Sequence, residues 1–250
     1  ADTPCVIYLI CLEGETGATL WKQPLGTVAA SAKEQQCSLL SSAVTVHQGS
    51  AYVSTNSGIL ARCNARDGAI EWLRTYPCGR QSMQSPNQLR REGTAPLVVG
   101  ERVFFAPRDH SGVIAIDRGV GELLWDAPLV PSDQIVGATA DVLIVRGYDE
   151  LAALDLASGK EEWVQAIGAC FGGRAMLFGA DIFLPTAGQL LRIAAATGKT
   201  LEELPVSLDP GAAEALLPDG TLIQLTSAPT AVVAPQLAVN DKPQDSWSLA

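Results

Sequence analysis

Four of the five tryptophans in this 250-residue chain stand four residues after a glycine that closes a short polar turn. The pairs are Gly17 and Trp21, Gly68 and Trp72, Gly121 and Trp125, and Gly159 and Trp163. A fifth, degraded copy keeps its glycine, Gly198, and carries Glu202 where the tryptophan would fall. Successive glycines lie 51, 53, 38 and 39 residues apart. A frame repeated this way sets the architecture and says much less about activity.

The columns around each glycine have consistent chemistry. Five residues earlier stand Leu12, Cys63, Ile116, Leu154 and Ile193, all apolar and expected to face inward. Next come Glu13, Asn64, Asp117, Asp155 and Ala194, of which the first four can accept a hydrogen bond from the turn backbone. Glycine supplies the positive φ that such a turn needs.

Upstream of each turn lie two further strand candidates: 44–46 with 51–54, 97–99 with 103–106, 138–139 with 142–145, and 176–178 with 182–185. Gln48-Gly49, Gly100-Glu101, Ala140-Asp141 and Ala180-Asp181 read as the hairpin turns joining them. A second hairpin follows at Asn56-Ser57-Gly58, Asp109 to Gly112, Tyr148-Asp149-Glu150 and Ala187-Gly188. The order is strand A, strand B, strand C, glycine turn, then strand D with its tryptophan. With a period near 40–50 residues, that is the pattern of a β-propeller blade, four times over.

The expected fold is therefore all-β. Whole blades fall at about 44–76, 96–130, 135–168 and 175–206, with partial blades at 1–26 and 215–234. Residues 235–250, with Pro243 and a stray Trp247, read as a linker or frayed tail. The two partial blades could complement each other in a small ring; an open arc or fragment of a larger ring is the favoured reading. The chain begins at Ala1 with strand-like residues and no charged leader, so it is read as a mature or excised piece with flanking domains.

Bulk composition excludes some classes. A formal charge of −10 argues against nucleic acid as a partner, because phosphate binding rests on clustered Lys and Arg. No apolar run reaches the ~18–20 residues that span a bilayer as a helix. Two histidines, His47 and His110, are too few and isolated to build a zinc site. The six cysteines include no adjacent pair; they read as buried or free thiols, with a bridge such as Cys11 to Cys63 left open for an exported chain.

At this point the pattern resembles a known family. Ala153, Asp155, Ser158, Gly159, Lys160 and Trp163 match in order the Ala-x-Asp-x-x-(Ser/Thr)-Gly-Lys-x-x-Trp motif of the pyrroloquinoline quinone (PQQ)-like β-propeller repeat. Asp117 through Trp125 is close to it, and Thr16 through Trp21 keeps its second half. The whole is similar to part of the long bacterial PQQ-binding-like propeller proteins. Enzymes of the family combine a vicinal Cys-Cys disulfide, a calcium held by Glu and Asn, and a catalytic Asp. This chain has no Cys-Cys and no set assignable to those roles. The resemblance thus implies a BamB-like, non-catalytic scaffold that binds a protein or peptide, exported, periplasmic or attached to the cell envelope, and without a cofactor. The alternative is an oxidoreductase or small-ligand sensor using PQQ with calcium.

Sites on such a fold sit on loops. Propeller topology places the B–C hairpins and the D-to-A links on one face. The longest links, 26–43 and 76–95, explain the wider spacings. The second carries Arg80, Arg90 and Arg91, with Arg74 just before it and Arg108 and His110 on a hairpin of the same face. An arginine cluster can clamp a carboxylate or phosphate on a partner, so these six residues are the candidate partner-binding set. No nucleophile elbow, phosphate-binding loop or His-Glu-x-x-His is present. Glu161-Glu162 and Glu202-Glu203 are adjacent on D strands, where neighbours face opposite sides, so neither forms a dyad.

Overall fold

The computed structural model describes residues 3–30, 43–55, 57–77, 94–128, 133–147, 149–168, 174–186, 189–205, 213–216 and 222–225, all of them strands or short connections. A two-stranded sheet opens the chain, β1 (Thr3–Leu12) against β2 (Thr19–Ala30). The first whole blade is β3 (Val44–His47), β4 (Ser50–Thr55), β5 (Ile59–Asn64) and β6 (Ile70–Thr75). The second is β7 (Leu97–Val99), β8 (Arg102–Phe105), β9 (Gly112–Asp117) and β10 (Leu123–Pro128). The third is β11 (Gln134–Ala138), β12 (Val142–Arg146), β13 (Glu150–Asp155) and β14 (Glu161–Ala166). The fourth is β15 (Met176–Phe178), β16 (Asp181–Thr186), β17 (Gln189–Ala194) and β18 (Thr200–Pro205). A last hairpin pairs β19 (Ala213–Leu216) with β20 (Leu222–Leu225).

Each whole blade is an antiparallel meander in chain order, and the two short sheets remain separate from one another. The architecture is an open arc of propeller blades. Its core lies between the blades. Tyr52, Leu60 and Trp72 of the first meet Val103, Phe105, Ile114 and Ile116 of the second. Phe104, Val113 and Trp125 of the second meet Leu143, Val145 and Leu154 of the third. Ile144, Leu151 and Ala153 continue the series against Ile182, Leu184 and Ile193 of the fourth.

One joint recurs at every seam. The indole of each D-strand tryptophan covers the turn glycine of the next blade, so that a Cβ built on Gly68, Gly121, Gly159 or Gly198 would come within 2.6–2.7 Å of the side chain of Trp21, Trp72, Trp125 or Trp163. The indole Nε1 then donates to the carbonyl three residues before that glycine, on Ala65, Arg118, Leu156 or Ala195, at 3.0–3.3 Å. The glycines need φ near +70°, which an L side chain resists, and they also lack room for one. Both constraints select glycine at the same position.

Backbone bonds tie the glycine-turn end of all four whole blades and the opposite end of the first and third. Ala65, Arg118, Leu156 and Ala195 N–H groups donate to Gly49, Glu101, Asp141 and Ala180, joining the glycine turn to the A–B turn. At the opposite end Tyr76 N–H donates to Gly58 and Ile167 N–H to Asp149, joining the D-strand exit to the B–C hairpin.

Several sequence expectations need correction. Leu12 is 55% exposed, whereas Cys63, Ile116, Leu154 and Ile193 in its column are buried; among the described residues no sheet covers that face of β1. Glu13 accepts from the Thr16 hydroxyl, not from the backbone, its longer side chain overreaching the turn. Asn64, Asp117 and Asp155 do accept turn N–H groups. The third A strand starts at Gln134, four residues early, because an irregularity between Ile135 and Gly137 breaks its alternation. The fourth A–B turn is Gly179-Ala180, since Asp181 pairs with Phe178 and Gly179 takes the positive φ. The final hairpin begins at Ala213. Cys11 and Cys63 are free thiols and form no bridge. The side chains of Cys5, Cys37, Cys78 and Cys170 lie outside the described residues, as do Asn56, Tyr148, Ala187-Gly188 and the tail 235–250.

Candidate functional site

The seam between the first and second whole blades holds a buried polar cluster. Tyr76 leaves the end of β6 and is 7% exposed. Its hydroxyl approaches the Thr55 carbonyl at 2.6 Å and the Asp109 carboxylate. The other Asp109 oxygen accepts the N–H of Gly58 at 3.0 Å. One carboxylate thus joins the B–C hairpins of both blades. Burial drives Asp109 above the usual carboxylate range; the Tyr76 hydroxyl, the backbone N–H groups and His110 pull the other way without cancelling it.

His110 is buried beside this pair. Its Nε2 lies 2.9 Å from the Asp126 carboxylate and its Nδ1 3.4 Å from the Pro77 carbonyl, while its ring stands edge-on to Tyr76 with centroids 5.9 Å apart. Both ring nitrogens face acceptors, which leaves neither open to a ligand.

Outside the cluster the same seam opens into a cleft of about 410 Å³. Leu60, Ile114, Ile116 and Leu123 give it an apolar lining, and Arg74, Glu122 and Asp126 add charge. Arg74 does not hang free there: its Nε donates to the Gly121 carbonyl at 2.6 Å, on the turn that Trp72 covers. Among the six candidate residues, the structure brings Arg74, Arg108 and His110 to this seam region, with Arg108 half-buried on the β8–β9 hairpin. Arg80, Arg90 and Arg91 lie outside the described residues. Sequence reasoning missed Tyr76 and Asp126, and it quoted Asp109 only as a turn residue. Tyr76 and Asp109 are 33 residues apart and meet only because consecutive blades pack.

The donor set for a quinone with calcium can be tested against these residues. Calcium takes six to eight oxygens. Among the described residues no group of three or more His, Cys, Asp or Glu converges. The acids near the seam are committed elsewhere, Asp109 to Tyr76 and Gly58, and Asp126 to His110. The described residues do not fit that pair.

Comparison with known proteins gives a consistent picture. Residues 109–201 match the family described as outer membrane protein assembly factor BamB. BamB from Moraxella catarrhalis superposes with a TM-score of 0.59 at 14% identity, covering 89% of this chain and 78% of that one. A quinohemoprotein alcohol dehydrogenase from Pseudomonas putida gives 0.53 at 13% identity, covering 82% of this chain and 41% of the enzyme. This chain therefore spans less than half of the dehydrogenase. At such identities the likeness is one of fold. No curated protein sequence matches the chain.

Proposed function

From the premise that this chain is an arc of PQQ-like β-propeller repeats, we propose that it is a non-catalytic scaffold that binds a protein or peptide in the bacterial cell envelope. One observation carries the reading. Arg74, Tyr76, Asp109, His110 and Asp126, the groups that could have done chemistry at the seam, are engaged with one another or with backbone of the adjoining blade. They hold blades together. What the cleft offers outward includes an apolar strip, of which Leu123 of β10 is the exposed member. An extended apolar segment of a partner suits that cleft, with rim charges fixing its register. The match of residues 109–201 to an outer membrane assembly factor supports the envelope as the setting.

The test has two arms. Calorimetric titration with PQQ, with and without calcium, is expected to give no heat from the folded chain; calcium-dependent uptake at micromolar affinity would sink the reading in favour of the oxidoreductase or sensor. Leu123→Asp is expected to abolish partner capture by a photo-cross-linker placed at Thr75, on the same cleft, whereas Val164→Asp on β14 leaves it intact.

A further inference from the structure

Beyond its apolar lining, the cleft between the first and second whole blades carries a charge pattern that no other whole blade repeats. β10 enters the cleft through an irregularity. Leu123 pairs with Ile116 and Trp125 with Ala115, so Leu124 is an extra residue, and from there Asp126 pairs with Ile114. Residues paired across antiparallel strands share a face. The extra residue therefore brings Leu123 and Asp126 to the face of Ile114 and Ile116, and all four line the cleft. Strict alternation would have set Leu123 and Asp126 on opposite faces.

Two carboxylates thus bracket an apolar strip, Glu122 at the glycine-turn end and Asp126 beyond it. Asp126 Oδ1 meets His110 Nε2 at 2.9 Å. Among the described residues no hydrogen bond or ion pair engages its other oxygen or the carboxylate of exposed Glu122. Arg74, the cation of the lining, is turned toward the Gly121 carbonyl at 2.6 Å and the Val120 carbonyl at 3.5 Å. The pattern is specific to this seam. At the places of Glu122 and Asp126, one residue after the turn glycine and five after it, the first blade has Ala69 and Leu73, the third Lys160 and Val164, and the fourth Lys199 and Glu203. None of those pairs is acidic at both places.

We propose that the cleft takes an extended segment of a partner protein in which an apolar residue has Lys or Arg two residues to either side, an inference that rests on the scaffold reading above and gives the partner its chemistry. Residues i, i+2 and i+4 of an extended segment share a face and span about 13 Å. Glu122 and Asp126 are likewise four residues apart along an extended run. The apolar side chain seats on Leu60, Ile114 and Ile116, and the two cations meet the carboxylates at the rim. The charge of −10 on the whole chain draws such a segment in, but only the bracketing acids fix where it binds.

The experiment uses the full chain, isotope-labelled for amide NMR, and three acetylated peptides. They are Thr-Lys-Thr-Leu-Thr-Lys-Thr, the same with Glu for both Lys, and the same with Ser for Leu. The first is expected to shift the amides of Thr75, Tyr76 and Leu123 to Asp126 at millimolar concentration, and to bind about fivefold or more tighter than either of the others. Glu122→Gln weakens it about two- to fivefold, the range of one rim charge pair. Glu122→Lys reverses the order of the Lys and Glu peptides. Asp126 is left in place because it holds His110. Equal binding of the Lys and Glu peptides at the cleft overturns the proposal and leaves the scaffold reading intact. Shifts scattered over the acidic surface and unmoved by Glu122→Lys also overturn it, as attraction to net charge alone. So does the absence of any shift at the cleft, in which case the cross-linker at Thr75 still decides the scaffold reading separately.

Discussion

The indole of Trp72 covers Gly121 of the following blade so closely that a Cβ there would lie 2.7 Å from the ring. The same pair is fixed a second time, since Trp72 Nε1 donates to Arg118 and Arg74 donates to the Gly121 carbonyl itself. Gly121→Ala is therefore expected to cost about 1–3 kcal/mol for the clash, beyond about 1–2 kcal/mol for holding a Cβ at positive φ. Gly49→Ala, in open space, should show only the second cost. Urea unfolding of the two variants checks the difference.

Tryptophan removal should scale with burial. Trp125 is 8% exposed and packs on Phe104 with ring centroids 5.6 Å apart. Trp125→Ala is expected to destabilise by about 3–5 kcal/mol, and Trp21→Ala, half-buried at the edge of the arc, by less. Chemical denaturation reads both.

The seam carboxylate gives a pH dependence with a definite sign. The folded-state pKa of Asp109 is raised, so its contribution to stability is fully present below its unfolded value and is lost as pH rises through the folded one. Wild type should therefore lose stability relative to Asp109→Asn as pH climbs from the acid range toward neutrality. Tyr76→Phe removes the donor that lowers the Asp109 pKa, and should push that loss to higher pH while costing about 1–3 kcal/mol for the acceptors left unpaired. Unfolding curves across a pH series decide both.

Asp155 should move the other way. The Ser158 hydroxyl, then the Ser158 N–H, hold this exposed carboxylate below its usual range. Its contribution is present above the unfolded value and disappears as pH falls through the folded one. By carboxyl NMR Asp155 is expected to titrate below Asp109, and Ser158→Ala to bring it back up.

Thiol chemistry separates the two described cysteines. Burial, with the Glu71 carboxylate adding to it, pushes the Cys63 thiol up to about 11. At pH 8 its thiolate fraction is on the order of 0.1%. Maleimide labelling with peptide mapping should mark half-exposed Cys11 in the native state and Cys63 only after denaturant is added.

The repeat was readable because glycine and tryptophan at fixed spacing report a joint that uses both residues. The strands near them followed, since each hairpin turn sits a short, constant distance away. The reading slipped where local geometry departs from the period, as at the irregularity between Ile135 and Gly137. It also slipped at Leu12, whose exposure depends on whether another sheet stands beside it, a fact no column of apolar residues carries. The seam cluster was less legible. His110 looked like a loop residue because its two acceptors come from Asp126, 16 residues on, and Pro77, 33 residues back. Arg74 looked like a partner-binding charge, and only the packed neighbour shows it holding the Gly121 carbonyl.

Each blade offers a glycine turn on one side and, in three of the four whole blades, an indole on the other. A unit carrying both halves of the joint can be duplicated or deleted whole without leaving mismatched surfaces, so gene-level changes in blade number need no compensating redesign of the seams. The exception is Glu202, which ends this interchangeability at the fourth blade and fixes its place in the series.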